Sequence, residues 1–83
     1  MKKILIEVYL PATGKYYNIR VPESMNCLIA AHLTAKALSD LSEGAYYPSR
    51  SSLFAWYGNG RILNTSHSLQ QEHVENGSQL LLI

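Results

Sequence analysis

The chain contains little cysteine, few charged residues and no long apolar run. Its 83 residues include one cysteine, Cys27, so an internal disulfide is impossible. This is typical of a protein from a reducing compartment, and we expect a cytoplasmic protein. The apolar residues after Lys3 are interrupted at Glu7, which is too soon for the core of a signal peptide, and we expect no insertion into a membrane.

The charges are nearly balanced and dispersed. Seven Lys or Arg residues stand against six Asp or Glu residues, and the basic residues form no cluster along the chain. Binding to nucleic acid usually depends on a clustered basic face that neutralises phosphates. The sequence therefore predicts no nucleic-acid partner.

The residue types that carry catalysis or bind metals form no recognisable motif in this sequence. Cys27 lies near a predicted helix start, where the helix dipole could lower the pKa of its thiol, but a packed apolar role is far commoner for a free cysteine. The three histidines have no zinc-site spacing, and Gly58-Asn59-Gly60 lacks the lysine of a phosphate-binding loop. We expect no enzymatic activity, no metal and no cofactor.

The first half of the chain predicts a β-hairpin followed by a helix. Apolar and polar residues alternate over residues 3–10 and again over residues 16–21, with Pro and Gly of a turn between them. Beyond Pro22, Ser24 is a suitable N-cap for a helix over residues 25–41, where apolar residues recur at helical spacing.

The second half predicts short strands joined by turns. Aromatic residues at 53–57 favour a strand, a tight turn follows, and residues 61–63 form a second short strand. The polar segment 64–74 should contain one turn of 3₁₀- or α-helix anchored by Leu69 and Val74. The apolar residues 79–83 predict a last strand buried in the sheet.

This order of elements predicts an α+β protein of the β-grasp class. The single helix must lie across one face of a mixed four- to five-stranded sheet to bury its apolar side. The last strand should lie at the centre of the sheet beside the first. We expect residues 1–83 to form a single domain.

The residues resemble ubiquitin in pattern along nearly the whole chain. Three segments carry the resemblance. The strand exit before the helix is Val21-Pro22-Glu23-Ser24, and the third strand with its turn is Trp56-Tyr57-Gly58. The approach to the last strand and the strand itself are Gly77-Ser78-Gln79-Leu80-Leu81-Leu82. The resemblance implies a ubiquitin-like domain that binds other proteins.

The C-terminus departs from the ubiquitin pattern. Ubiquitin, its conjugated relatives and the sulfur carriers end in a flexible Gly-Gly tail, whereas this sequence ends on the predicted strand at Ile83. We therefore expect a module that is not conjugated. The alternative is a ubiquitin-like modifier or sulfur-carrier relative whose tail is absent here.

As a small, tail-less ubiquitin-like protein, this chain resembles the YukD/EsaB family of bacterial type VII secretion systems. The loop Pro48-Ser49-Arg50 and the apolar last strand carry this resemblance. It implies a cytosolic accessory or regulatory role, with components of the secretion machinery as possible partners.

Two surfaces are candidates for binding a partner. If Phe54 and Trp56 face the core, the opposite face of the sheet carries a set of apolar residues, namely Leu5, Tyr9, Leu53, Ala55, Tyr57, Leu81 and Ile83. Tyrosine and exposed apolar side chains are typical of protein interfaces, and a homodimer through this face is possible. The loop residues Tyr46, Tyr47 and Arg50 are the second candidate.

Overall fold

The computed structural model describes residues 2–41 and 52–83, and within them one helix lies on a mixed four-stranded sheet. The elements are β1 (Lys3–Leu10), β2 (Lys15–Pro22), α1 (Cys27–Leu41), β3 (Phe54–Trp56) and β4 (Gln79–Leu82). The strand order is β2-β1-β4-β3. The predicted fold class is confirmed.

The last strand occupies the centre of the sheet, as its apolar sequence predicted. β4 pairs with β1 in parallel and with β3 antiparallel, while β1 and β2 form the antiparallel hairpin. Leu80 and Leu82 of β4 are buried together with the four alternating apolar residues of β1. These residues form the sheet's half of the core.

The helix supplies mostly small residues to that core. Ala30, Ala31, Ala35 and Leu38 of α1 are buried, and Phe54 of β3 is the largest buried side chain among the described residues. The alanines let the helix lie close to the sheet, because short side chains leave little space between the two layers.

The helix begins two residues later than the sequence indicated. Asn26, not Ser24, is its N-cap: Asn26 Oδ1 accepts the backbone N–H groups of Leu28 at 2.9 Å and Ile29 at 3.1 Å. Asn26 Nδ2 also donates to the carbonyl of Thr65 at 2.8 Å. Asn26 is the better cap here because one side chain satisfies the helix start and ties it to a distant segment.

The strand expected at residues 61–63 is reduced to one bridge, between Ala55 and Ile62. The Trp56 N–H donates to the carbonyl of Arg61 at 2.8 Å, and the Leu63 N–H donates to that of Phe54 at 3.0 Å. The chain then turns away from β3, so no ladder develops.

In the next segment, the expected turn of 3₁₀- or α-helix is present only as hydrogen-bonded turns over residues 69–73. Ser68 Oγ accepts the N–H of Gln71 at 3.1 Å and Gln71 Oε1 accepts the N–H of Ser68 at 2.8 Å, which is a capping box. The Val74 N–H donates to the carbonyl of Leu69 at 3.0 Å, as at a helix C-terminus, with His73 at φ 61° between them. The two caps meet after one turn and leave no room for a longer helix.

Two hydrogen bonds converge on Glu72 in this segment. Its Oε1 accepts the Asn64 N–H at 3.0 Å, and its Oε2 lies 2.9 Å from His67 Nδ1. The Glu72 side chain is only 9% exposed. The hydrogen bond from His67, followed by that from the Asn64 backbone, lowers the pKa of Glu72 below its ordinary 4.5.

Replacing Asn26 by Ala should lower the free energy of unfolding by about 1–2 kcal/mol, the usual cost of losing an N-cap. Chemical denaturation measures it. Ser24→Ala, two residues away and exposed, is the control and should change stability by less than about 0.5 kcal/mol. Equal losses in the two variants would show that the cap is assigned wrongly.

Replacing Glu72 by Gln should cost about 1–2 kcal/mol near neutral pH, because hydrogen bonds to a charged group are stronger than those to a neutral one. Since the folded-state pKa is lowered, this stability is present above pH 4.5 and is lost as the pH falls through the folded-state value. Unfolding of wild type and variant should therefore converge in acid. Glu75→Gln removes an exposed carboxylate and should show no such convergence.

Candidate protein-binding face

The face of the sheet opposite the helix carries a continuous row of mostly apolar side chains. Tyr9 lies beside Tyr16 in the β1–β2 register and beside Leu81 in the β1–β4 register. Leu81 pairs with Ala55, and Ala55 pairs with Ile62. Residues in register share a face, so the row crosses all four strands.

A second row lies at the end of β4. Leu53 and Ile83 exchange two backbone hydrogen bonds, each 2.9 Å long, which extends the β3–β4 pairing beyond the named strands. Their side chains fall on the same face as Ala55 and Leu81, two residues away in each strand. We call the accessible apolar set on this side the docking face: Leu5, Tyr9, Tyr16, Leu53, Tyr57, Ile62, Leu81 and Ile83.

The exposed apolar residues of the described chain concentrate on this side. Seven large hydrophobic residues are exposed, and five of them belong to the docking face: Leu5, Tyr16, Tyr57, Ile62 and Ile83. A protein this small needs its large apolar residues for its core. Their accumulation on one open side is therefore the property that a binding surface requires.

Three tyrosines form a cluster at the centre of the docking face. The ring centroid of Tyr9 lies 4.8 Å from that of Tyr16 and 5.7 Å from that of Tyr57. The hydroxyl oxygens of Tyr16 and Tyr57 are 2.9 Å apart. The outer rings thus meet over the central strands and hold one another in place.

This hydroxyl pair changes the acidity of Tyr16. The hydrogen bond to Tyr57, with smaller effects of desolvation and of the neighbouring Tyr57, Tyr9 and Glu7, raises the pKa of Tyr16 to about 12. Tyr16 is therefore uncharged across the physiological range. The cluster presents ring surface with a polar centre, a combination that suits protein contacts.

One predicted site residue does not belong to the accessible surface. Ala55 lies on the docking side but is only 1% exposed. Its methyl group sits in register between the larger Leu81 and Ile62, which shield it. The expectation that Ala55 contacts a partner directly is therefore wrong, whereas Leu5, Tyr9, Leu53, Tyr57, Leu81 and Ile83 retain exposed or partly exposed side chains.

The sequence-based prediction left out two residues of the docking face, Tyr16 and Ile62. The alternation of Tyr16 with the inward-facing Tyr17 indicates that Tyr16 lies on this face, but only the strand register shows that it contacts Tyr9. Ile62 depends on a single bridge that no sequence pattern specifies. The loop candidates Tyr46, Tyr47 and Arg50 lie outside the described residues.

Of the groups that were considered for chemistry, Cys27 is buried and His67 is hydrogen-bonded to Glu72. Burial, with a smaller effect of Glu72, raises the pKa of the Cys27 thiol to about 11, so it is protonated at neutral pH. Within residues 2–41 and 52–83 no three His, Cys, Asp or Glu side chains group as a metal site would require. No helix among those residues is long and apolar enough to span a bilayer.

Replacing Tyr57 by Phe should return the pKa of Tyr16 toward its ordinary 10.0, because the hydrogen bond that favours the neutral phenol is lost. The stability that this shift provides is complete below pH 10 and disappears as the pH rises through about 12. An ultraviolet or NMR titration of the tyrosines measures it. Tyr17→Phe, outside the cluster, is the control; a Tyr16 pKa that is unchanged by Tyr57→Phe would contradict the assignment.

Comparison with known proteins identifies the fold. No protein-family model matches the sequence, and no curated protein is significantly similar to it. Two solved ubiquitin-like domains match over 100% of this chain. The EccD5 domain from Mycobacterium xenopi has a TM-score of 0.81 and 13% sequence identity over 94% of its length. The domain of the Mycobacterium tuberculosis type VII secretion protein EccD1 has a TM-score of 0.76 and 18% identity over 99% of its length.

A third similar structure is part of a larger assembly. It is a chain of the MycP5-free ESX-5 inner membrane complex, which matches all of this chain over 21% of its own length with a TM-score of 0.79 and 16% identity. Identities this low establish the architecture alone. The chain therefore has a ubiquitin-like β-grasp fold.

Proposed function

We propose that this protein is a non-enzymatic interaction module that binds another protein through the docking face. The observation that supports this most strongly is that, in the part of the chain that the structure describes, five of the seven exposed large hydrophobic residues lie on one side of the sheet. The tyrosine cluster adds rigid amphipathic rings at its centre, and rings of this kind are enriched in the central residues of interfaces.

We further propose that the partner is a component of a bacterial type VII secretion system, with this protein as a cytoplasmic accessory or regulatory factor of the YukD/EsaB kind. Two similar structures are ubiquitin-like domains of EccD proteins, one of them named as a type VII secretion protein, and a third belongs to the ESX-5 inner membrane complex. These likenesses support the proposal together with the resemblance to YukD/EsaB in the sequence.

Two substitutions on the docking face should separate binding from folding. Tyr57→Asp and Leu81→Asp each place a charge among the apolar side chains, so capture of the partner from a lysate of the source organism should fall at least tenfold, about 1.4 kcal/mol. Mass spectrometry identifies the captured protein, and recapture with that protein in purified form confirms the loss. Thermal unfolding of both variants should stay close to that of wild type.

Gln70→Asp is the matched control, since it adds a charge to an exposed residue that is not part of the docking face. It should capture as much partner as wild type does. Unchanged capture by both docking-face variants would contradict the binding surface. A captured protein unrelated to secretion would contradict the secretion assignment and leave the surface intact, and loss of a dimer in sedimentation would assign the face to self-association.

A further inference from the structure

The outer edge of β2 has backbone groups without partners among the described residues. β2 is the terminal strand of the sheet and pairs only with β1. The Glu23 N–H donates to the carbonyl of Lys2 at 3.0 Å, and hydrogen bonding alternates along an antiparallel pair. The N–H and C=O groups of Tyr16, Asn18 and Arg20 therefore point away from the sheet.

An apolar groove lies between this edge and the helix. Its volume is about 200 Å³. Its lining from β2, the following turn and α1 is mostly apolar, with Arg20 and Thr34 as the polar members beside Ile19, Val21, Pro22, Met25, Leu33 and Ala37. Leu33 is 53% exposed, and Ile29, one helical turn earlier, is 54% exposed. Binding sites for small molecules are usually about 300–1,000 Å³, so the groove suits single side chains of a peptide better than a whole small ligand.

Among the described residues, two large hydrophobic residues are exposed outside the docking face. They are the helix residues Ile29 and Leu33. Leu33 lines the groove, and Ile29 lies one helical turn before it, so the docking face and the groove together hold six of the seven exposed large hydrophobic residues of the described chain. The groove lies on the helix side of the sheet and the docking face on the other side, and Tyr16 is the docking-face residue that lies on the edge strand β2.

Charge distinguishes between the possible occupants of the edge. β2 contains Lys15 and Arg20 and no acidic residue, and neither forms an ion pair within residues 2–41 and 52–83. A second copy of β2 would bring more positive charge against this edge, which is unfavourable for neighbouring strands. A segment with carboxylates is attracted to the same edge.

We propose that β2 accepts an extended acidic–apolar segment of a partner protein as a fifth strand of the sheet. Backbone hydrogen bonds to Tyr16, Asn18 and Arg20 supply the pairing. Because side chains alternate, every second side chain of the segment enters the groove beside Leu33 and is apolar. The intervening side chains of the segment lie on the face of the sheet opposite the helix, beside Arg20, and are acidic.

A blocked synthetic peptide in which Glu alternates with Val tests this arrangement, with a Lys–Val peptide of the same length for comparison. NMR titration of the protein should give saturable shifts at the amides of Tyr16, Asn18 and Arg20 and along the helix near Leu33, with the Glu–Val peptide only. Shifts confined to the docking face, equal responses to both peptides, or no saturable binding would overturn the proposal.

Two variants test the edge and the groove separately. Asn18→Pro removes an outward N–H at the centre of the edge, a strand position where proline is tolerated, and Leu33→Asp places a charge at the groove. Each should weaken binding of the Glu–Val peptide at least tenfold. His32→Asp, an adjacent exposed helix position, should bind as wild type does, and an equal loss in this variant would overturn the groove assignment.

Two further variants separate this site from the docking face and test the role of charge. Arg20→Glu should shift preference from the Glu–Val peptide toward the Lys–Val peptide, and an unchanged preference would overturn the role of Arg20. Leu81→Asp should leave peptide binding unchanged. Loss of peptide binding in Leu81→Asp would show that the peptide uses the docking face instead.

Discussion

The parallel pairing of β4 with β1 is the interaction on which the rest of the structure depends. Val8 lies beside Leu80 in this register, and both are buried. The pairing sends Leu80 and Leu82 into the core and therefore sends Leu81 and Ile83 to the other side, since successive side chains alternate. Core and docking face thus follow from one register, and a shift by a single residue would exchange them.

Local hydrogen bonds replace regular structure in the segment that joins β3 to β4. Asn26 reaches from the helix start to Thr65, and the Leu69 N–H donates to the carbonyl of Met25 at 2.9 Å. The Glu72 carboxylate is hydrogen-bonded to both the Asn64 backbone N–H and the His67 ring. The long connection is thereby fixed against the helix start without a strand or helix of its own, and β4 is delivered to the centre of the sheet.

The sequence predicted the elements that repeat a simple period. The alternation in β1 and β2 was sufficient to place the hairpin, because a period of two has one structural meaning at these lengths. The short apolar run of β4 placed the central strand, because such a run suits a strand with little solvent on either side. The N-cap was misassigned, because Ser24 and Asn26 are equally suitable residue types and the bond from Asn26 to Thr65 chooses between them. Tyr16 and the buried position of Ala55 likewise depend on neighbours from other strands, which only the register brings together.

The distance along the chain between the paired central strands has a consequence for how the protein is made. Glu7 and Gln79 are hydrogen-bonded neighbours although they are 72 positions apart. During synthesis on the ribosome, the β1–β2 hairpin emerges before α1, β3 and β4, and the side of β1 that receives β4 has no partner until β4 has been translated. An unpaired edge lined by Ile and Val is an attractive template for other nascent chains. Until β4 has been synthesised, this side of β1 is therefore open to pairing with other chains.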